Sequence, residues 1–288
     1  MDTVAAVRAS DGHILWQVPL PTGSGSDDRD FHIATDGTTV LVTDPTAGLY
    51  ALSATTGAVR WHRDEPVTWP LAVKDGVAVA TRTDPQGEKA YQVVYQEDDG
   101  KVLWQGQDFL HGIRPVIGIN HTGVYIAGPT ALIAYATRTG KQLWRQEMTG
   151  NIVGVDDHTV TIGMSGGSYS AACLDAVTGS INWTVRGSSD GWRPVLQTST
   201  GLYGVTSPSL HLIAVSRTSG AQLWHAEFAS YYVDSIAQEQ GVVFAYLFVP
   251  PNVLGESPPA RLVALDGSRG TIYWERDQQI FALVNTPL

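Results

Sequence analysis

The sequence predicts an all-β fold assembled from seven copies of one small unit. A glycine stands four residues before a tryptophan seven times in 288 residues, and successive tryptophans of this pattern lie 39 to 50 residues apart. A period near 40 residues is typical of arrays of supersecondary units. No segment shows a convincing 3.6-residue apolar period, so almost no helix is predicted. The tryptophans of the pattern are Trp16, Trp61, Trp104, Trp144, Trp183, Trp224 and Trp274.

Each repeat contains a β-hairpin with a tight turn. The copy from Cys173 to Trp183 reads CLDAVTGSINW, with a small apolar residue six positions before the glycine and a short polar residue directly before it. Short polar side chains hydrogen-bond the local backbone, and glycine adopts a positive φ without steric cost. The pattern therefore predicts a strand, a turn and a second strand that carries the tryptophan.

Two more strands are predicted in each period. An apolar run ending in a turn follows most tryptophan strands, and a second run rich in Val, Ile, Tyr and Thr follows it, which favours strands. Four antiparallel strands per period make one blade, so the chain is predicted to be a seven-bladed β-propeller. The first runs cover residues 31–37, 70–76, 115–123, 152–158, 194–201 and 235–241.

The two ends of the chain predict how the array closes. The chain opens on a third strand (3–10) and a tryptophan strand (13–20), and it ends on 280–288, which looks like an innermost strand. We expect a single domain, 1–288, whose closing blade combines about 1–20 with 278–288 and so removes two open sheet edges. Whether that blade has three or four strands stays open, and the abrupt start favours a domain of a longer protein.

The string ALSATTGAVRW, residues 51–61, resembles the pyrroloquinoline quinone (PQQ)-like propeller repeat. The resemblance implies that its Ala, Gly and Trp form a docking contact between neighbouring blades. It extends to all seven tryptophans and to the glycines of the pattern, among them Gly57, Gly140, Gly179 and Gly220.

Similar repeats form outer-membrane assembly lipoproteins, which dock other proteins, and sensor domains of bacterial serine/threonine kinases. The resemblance thus implies a non-catalytic recognition or scaffold domain, which acts outside the cytoplasm, in the periplasm or at the cell surface. The alternative is an enzyme with its site at the mouth of the central channel, either a quinone-dependent oxidoreductase or a lyase.

Composition narrows the range of partners. The formal net charge is −10 and no basic run is present, which argues against nucleic acid because phosphate neutralisation supplies most of that affinity. No apolar stretch approaches the roughly 20 residues that span a bilayer. The single cysteine, Cys173, stands in the small apolar position of its repeat and is interpreted as a buried core thiol. Another protein or a small anionic ligand is the expected partner.

A ligand site is predicted at the channel mouth, on loops that precede the inner strands. Two of these loops share the pattern Gly-x-Arg-Pro-Val, and their arginines could bind a carboxylate or phosphate, while nearby aromatic rings could stack on a ligand. The alternative is that these side chains plug the channel and pair with one another. The candidate residues are Trp69, His111, Arg114, Asp190, Trp192, Arg193, Tyr232 and Asp234.

Catalytic motifs are not found. The related quinoprotein dehydrogenases are longer, have eight blades and hold the quinone near adjacent cysteines and calcium, whereas this chain has one cysteine. The acidic loop at 27–30 lacks the ligand spacing of a calcium loop. We therefore predict no cofactor and no metal, with PQQ plus calcium as the alternative that the resemblance leaves open.

Overall fold

The computed structural model describes residues 3–8, 11–20, 32–44, 48–65, 67–84, 89–106, 109–110, 116–164, 169–186, 191–206, 211–228, 231–249 and 259–278. The chain divides into two compact units, Met1–Glu147 and Met148–Leu288.

The first unit contains four antiparallel sheets. Sheet 1 pairs β1 (Thr3–Val7) with β2 (Ile14–Pro19). Sheet 2 is formed by β3 (His32–Thr35), β4 (Thr39–Asp44), β5 (Gly48–Ser53) and β6 (Val59–Arg63). Sheet 3 is formed by β7 (Val67–Lys74), β8 (Val77–Thr83), β9 (Lys89–Gln96) and β10 (Val102–Gln105), and the short β11 (Phe109–Leu110) also pairs with β9. Sheet 4 is formed by β12 (Val116–Ile119), β13 (Gly123–Ala127), β14 (Leu132–Ala136) and β15 (Gln142–Gln146).

The second unit contains three sheets of four strands each. Sheet 5 is formed by β16 (Gly150–Val155), β17 (Thr159–Met164), β18 (Tyr169–Asp175) and β19 (Ile181–Arg186). Sheet 6 is formed by β20 (Arg193–Gln197), β21 (Leu202–Val205), β22 (His211–Val215) and β23 (Gln222–Glu227). Sheet 7 is formed by β24 (Tyr232–Glu239), β25 (Val242–Phe248), β26 (Ala260–Asp266) and β27 (Ile272–Gln278).

The repeated sequence fixes the register of the last two strands in every sheet. In each of the seven sheets the tryptophan lies directly opposite the small apolar residue of its own repeat, as Trp61 lies opposite Ala51 and Trp183 opposite Cys173. Each of the seven glycines takes a φ between +67° and +72°, a region that glycine enters at no steric cost. The register shifts directly before the tryptophan, because one residue of the tryptophan strand bulges out of the ladder there.

Within each unit, the hydrophobic core lies between consecutive sheets. In the first unit, Leu41 and Ala51 of sheet 2 pack with Val73 and Val93 of sheet 3. In the second unit, Val205 and Leu212 of sheet 6 belong to one buried cluster with residues of sheet 7, such as Val243. Each sheet thus buries both of its faces only when it has neighbours, which is why a single repeat could not fold alone.

The predicted all-β class and the seven antiparallel sheets are confirmed. Six sheets have the predicted four-strand order, and no helix occurs in the described ranges. Sheet 1 supplies the predicted third and tryptophan strands of the closing blade. The predicted innermost strand of that blade, 280–288, lies outside the described residues, so closure by the two termini and a single domain over 1–288 stay predictions.

Candidate functional site

The tryptophan ring of one sheet lies against the turn glycine of the next. A Cβ added at Gly100 would stand 2.6 Å from Cδ2 of Trp61. At Gly270 the corresponding distance to Cδ2 of Trp224 is also 2.6 Å. No side chain larger than hydrogen fits there without displacing the ring. The same close approach joins Trp16 to Gly57, Trp104 to Gly140 and Trp183 to Gly220.

The indole N–H of the same tryptophans donates a hydrogen bond to the next sheet. The acceptor is always the backbone carbonyl three residues before the turn glycine, and the donor–acceptor distances run from 2.6 to 2.9 Å. Buried polar groups need such partners, so the ring supplies both apolar contact and a directional bond. The pairs are Trp16 with Ala54, Trp61 with Glu97, Trp104 with Thr137, Trp183 with Arg217 and Trp224 with Gly267.

Two of the predicted docking pairs join residues of different units. Trp144 belongs to the first unit and Gly179 to the second, while Trp274 belongs to the second unit and Gly12 to the first. The docking role of these two tryptophans stays a prediction.

Charged side chains reinforce two of the sheet-to-sheet contacts. The buried carboxylate of Glu97, in the turn of sheet 3, accepts hydrogen bonds from the hydroxyls of Thr38 at 3.0 Å and Thr39 at 2.5 Å in sheet 2. In the second unit the guanidinium of Arg217 donates to Asp156 of the preceding sheet, and burial lowers the pKa of Arg217. These polar groups are engaged within the fold and are structural.

Four of the eight predicted ligand residues cannot be placed by their side chains. His111, Arg114 and Asp190 lie outside the described residues, and Trp69 belongs to β7 but its side chain is outside them as well. Arg193 and Asp234 are exposed, the first at the start of β20 and the second at a bulge in β24. Tyr232 packs on Phe248 of the same sheet, with ring centroids 5.9 Å apart.

Trp192 does not present an open stacking face. It is only 5% exposed and packs in one buried cluster with Cys173 and Trp183 of sheet 5. A Cβ added at Gly204 would stand 2.6 Å from its ring, so the indole fills the space left by that glycine. Its N–H is buried and meets no hydrogen-bond acceptor among the residues that the structure describes. The structure therefore places this residue in the core between sheets 5 and 6.

A cleft that the sequence did not predict lies between sheets 6 and 7. Its volume is about 170 Å³, and Phe228 and Leu247 form an apolar floor. The guanidinium carbon of Arg261 stands 4.8 Å from the ring centroid of Tyr231. Arg261 also pairs with Glu275 at 2.9 Å and with Asp277 at 3.0 Å. The remaining lining residues are Glu227 and Ile272.

A sequence signal for this cleft existed in part. Tyr231 lies beside the predicted site residue Tyr232, but its partner Arg261 lies 30 positions further along the chain, after the long segment before β26. Only the antiparallel register of β26 and β27, which sets Arg261 opposite Asp277, brings the charges together.

The other shifted pKa values have structural causes at separate places. Burial raises the pKa of the Tyr95 hydroxyl, which also lies 3.4 Å from the Glu65 carboxylate. Burial likewise raises the pKa of the Cys173 thiol, as expected for a core thiol. In the described part of the chain, no three His, Cys, Asp or Glu side chains are grouped as a metal site would require. No helix in those ranges has the length and apolar character of a membrane span.

The fold and its repeated contacts define a seven-bladed β-propeller built from PQQ-like repeats. Two overlapping stretches, residues 1–119 and 91–235, match the family model described as outer membrane protein assembly factor BamB. Because these matches span most of the chain, the protein belongs to this family of PQQ-like repeat propellers. Its sequence matches no curated protein.

Solved structures share the fold at low sequence identity. BamB from Moraxella catarrhalis is 16% identical, with a TM-score of 0.59 over 99% of this chain and 92% of that one. The computationally designed protein Ika8 is 12% identical, with a TM-score of 0.66 over 93% and 79%. The quinohemoprotein alcohol dehydrogenase from Comamonas testosteroni is 13% identical, with a TM-score of 0.58 over 98% and 65%. These similarities establish the architecture, and function must come from the site itself.

Proposed function

We propose that this chain is a non-catalytic docking propeller, a recognition domain of a bacterial protein that holds a protein partner outside the cytoplasm. The family to which the chain belongs carries the name of an outer membrane protein assembly factor, which supports an assembly or scaffold role. A sensor domain is the finer variant of the same proposal, in which the bound partner or a small anion changes the state of an attached domain.

The observation that carries this proposal is a recurrent exposed apolar residue on the outer strands. It stands two positions before the tryptophan in five of the seven sheets, and 43% to 52% of each side chain is exposed. Isolated exposed apolar residues are ordinary, but their recurrence at one register position makes a pattern that binding surfaces show. The residues are Ile14, Val59, Val102, Ile181 and Ile272.

The bulge in each hairpin explains why these side chains are uncovered. Trp61 lies opposite Ala51 and faces the next sheet, whereas Val59 lies opposite Leu52. Ala51 and Leu52 are consecutive residues of β5 and point to opposite faces of the sheet. Val59, which lies opposite Leu52, is therefore on the face away from the tryptophan. There it is 50% exposed and contributes apolar surface that a partner could bury.

Site-specific photo-crosslinking in the cells that make the protein tests the proposal. A photoreactive amino acid at Val102 or at Ile181, one in each unit, should give an adduct of the same discrete size, because both positions carry the recurrent exposed apolar residue. The matched control is Thr178, an exposed turn residue, which should give none. Adducts of equal yield at all three positions, or at none, would contradict a docking role for the outer strands.

The rival function is a quinone-dependent oxidoreductase, since alcohol dehydrogenases of that class share the fold. The chain's one cysteine is buried in the core, so the adjacent-cysteine arrangement of those enzymes has no counterpart in it. Adding PQQ with Ca²⁺ should leave the melting temperature unchanged. Binding would be visible, because a ligand at 100 times its Kd stabilises the fold by about 2.7 kcal/mol. A saturable shift together with quinone-dependent dye reduction would favour the enzyme instead.

A further inference from the structure

We propose that the cleft between sheets 6 and 7 receives one basic side chain, a lysine or an arginine, from a protein partner. The cleft is lined by Glu227, Phe228, Tyr231, Leu247, Arg261, Ile272 and Glu275. This inference rests on the docking function proposed above and names the chemistry that one part of the surface recognises.

The size of the cleft selects a single side chain over a whole small molecule. Its volume is about 170 Å³, whereas sites for cofactors and other small ligands span roughly 300 to 1,000 Å³. A cavity of about 150 Å³ holds one benzene ring. The space therefore fits the stem and head of one long side chain.

The floor of the cleft suits the aliphatic stem of a basic residue. Phe228 and Leu247 are buried, at 7% and 1% exposure, and give a fixed apolar base. Ile272 is 45% exposed and borders the opening. Lysine and arginine lay their methylene stems on apolar surface while the charged head reaches polar groups. The cleft offers an apolar floor for the stem and carboxylates for the charged head.

The charge of the cleft selects a cation. Arg261 is already neutralised, because it pairs with Glu275 and Asp277, and its hydrogen bond to Asp277 raises its pKa. Glu227 adds a second lining carboxylate, and the nearest basic side chain among the described residues is the imidazole of His225, whose Nε2 lies 3.9 Å away, too far for a hydrogen bond. Two carboxylates, those of Glu227 and Glu275, line the cleft with one guanidinium, and that guanidinium is further neutralised by Asp277, so an anionic ligand would be repelled. The acidic net charge of the chain, −10, favours approach of the same kind of partner.

Methyl NMR with a short peptide tests the proposal directly. The probe is a blocked pentapeptide, Gly-Ser-Arg-Ser-Gly, and the reporters are the methyl groups of Ile272 and Leu247 in the full chain. We expect a saturable shift of both reporters. The peptide with norleucine in place of arginine should shift them at least about tenfold less at equal concentration, because it lacks the charge-assisted bonds.

Two variants separate the cleft from the general field of an acidic protein. Glu227→Gln should weaken arginine-peptide binding about tenfold, since it removes the carboxylate that is not committed to Arg261. Asp98→Asn removes one exposed carboxylate from a turn of the first unit and should change binding less than twofold. Glu275→Gln, whose methyl spectrum reports whether the cleft is intact, should also weaken binding.

Three results would overturn the proposal: no shift at about 10 mM peptide, equal shifts with norleucine, or equal weakening by Asp98→Asn. The first would leave the docking function to be judged by crosslinking at Val102 and Ile181, which lie outside the cleft. Conversely, a cleft that binds the peptide in a protein that gives no adducts would count against the docking function alone.

Discussion

Replacing Trp224 by phenylalanine should cost more stability than the same replacement at Trp192, although both rings belong to the second unit and are equally buried. Their exposures are 7% and 5%, so each substitution removes the same atoms from a similar environment and leaves a similar cavity. The difference lies in the indole N–H. That of Trp224 donates to the Gly267 carbonyl at 2.9 Å, whereas that of Trp192 finds no acceptor in the described part of the chain.

The magnitude follows from the cost of leaving a buried acceptor unpaired. Trp224→Phe abandons the carbonyl of Gly267 and should cost about 1–3 kcal/mol beyond the cavity term. Trp192→Phe abandons nothing and removes a buried, unpaired donor, so its cost should be the cavity term alone or less. Trp183→Phe is the matched repeat of the first variant, because its N–H donates to the Arg217 carbonyl at 2.7 Å.

Equilibrium unfolding in urea, followed by far-ultraviolet circular dichroism, measures the three variants without depending on tryptophan fluorescence. The free energy of unfolding should fall furthest, and by similar amounts, in Trp224→Phe and Trp183→Phe. Equal losses in all three variants would refute the idea that the indole hydrogen bonds, and not the apolar ring alone, hold neighbouring sheets together.

Three further predictions follow from the turns and the core. Gly140→Ala should lower the free energy of unfolding by about 2–5 kcal/mol, since the backbone has φ +67° and the new Cβ would stand 2.7 Å from Trp104; Gly37→Ala, which meets no atom within 4 Å, should cost only the backbone term of about 1–2 kcal/mol. Hydrogen bonds from the Ser268 side chain and from other donors lower the pKa of Asp266 from 3.8 to about 2, so its contribution to the free energy of unfolding is present above pH 4 and lost as the pH falls toward 2. Urea titrations of Asp266→Asn should therefore show a free energy of unfolding that depends less on pH between 4 and 2. An unchanged pH dependence would argue against this role of Asp266. The Cys173 thiol should react with a disulfide reagent at pH 8 about 100-fold more slowly in the folded protein than in urea, because it is buried and its pKa is raised; equal rates would show that the site opens readily.

Local chemistry made most of the fold predictable. The short polar residue and glycine of the repeat define a tight turn, and the turn fixes the register, so the small residue at Ala51 had to lie opposite Trp61. The same argument holds in sheets whose other residues differ widely, because it depends on backbone conformation and on the space beside one ring. Such constraints act within about ten residues and can be read from a single copy.

The candidate site was less predictable because it depends on contacts outside the repeated hairpin motif. The direction of Trp192 is set by Gly204, which leaves a hole in the neighbouring strand, and no local pattern reports that hole. The cleft depends on Arg261 of β26, which pairs with Glu275 and Asp277 of β27 and lies over the ring of Tyr231, just before β24. Of the predicted mouth residues, Arg193 and Asp234 are exposed, and binding through them stays a prediction.

The bond from the indole to the carbonyl of the following repeat, described for five of the seven tryptophans, makes these repeats interchangeable units. The indole donor, the carbonyl acceptor, the glycine and the small residue recur at fixed offsets. Each of these repeats therefore presents the same glycine and carbonyl to the repeat before it and the same indole to the repeat after it. A gene duplication that copies one whole period would therefore insert a unit already matched on both sides. Insertions shorter than a period would separate the indole from its acceptor, and we expect them to be tolerated best in loops away from the hairpin turns, such as the long connection between β25 and β26.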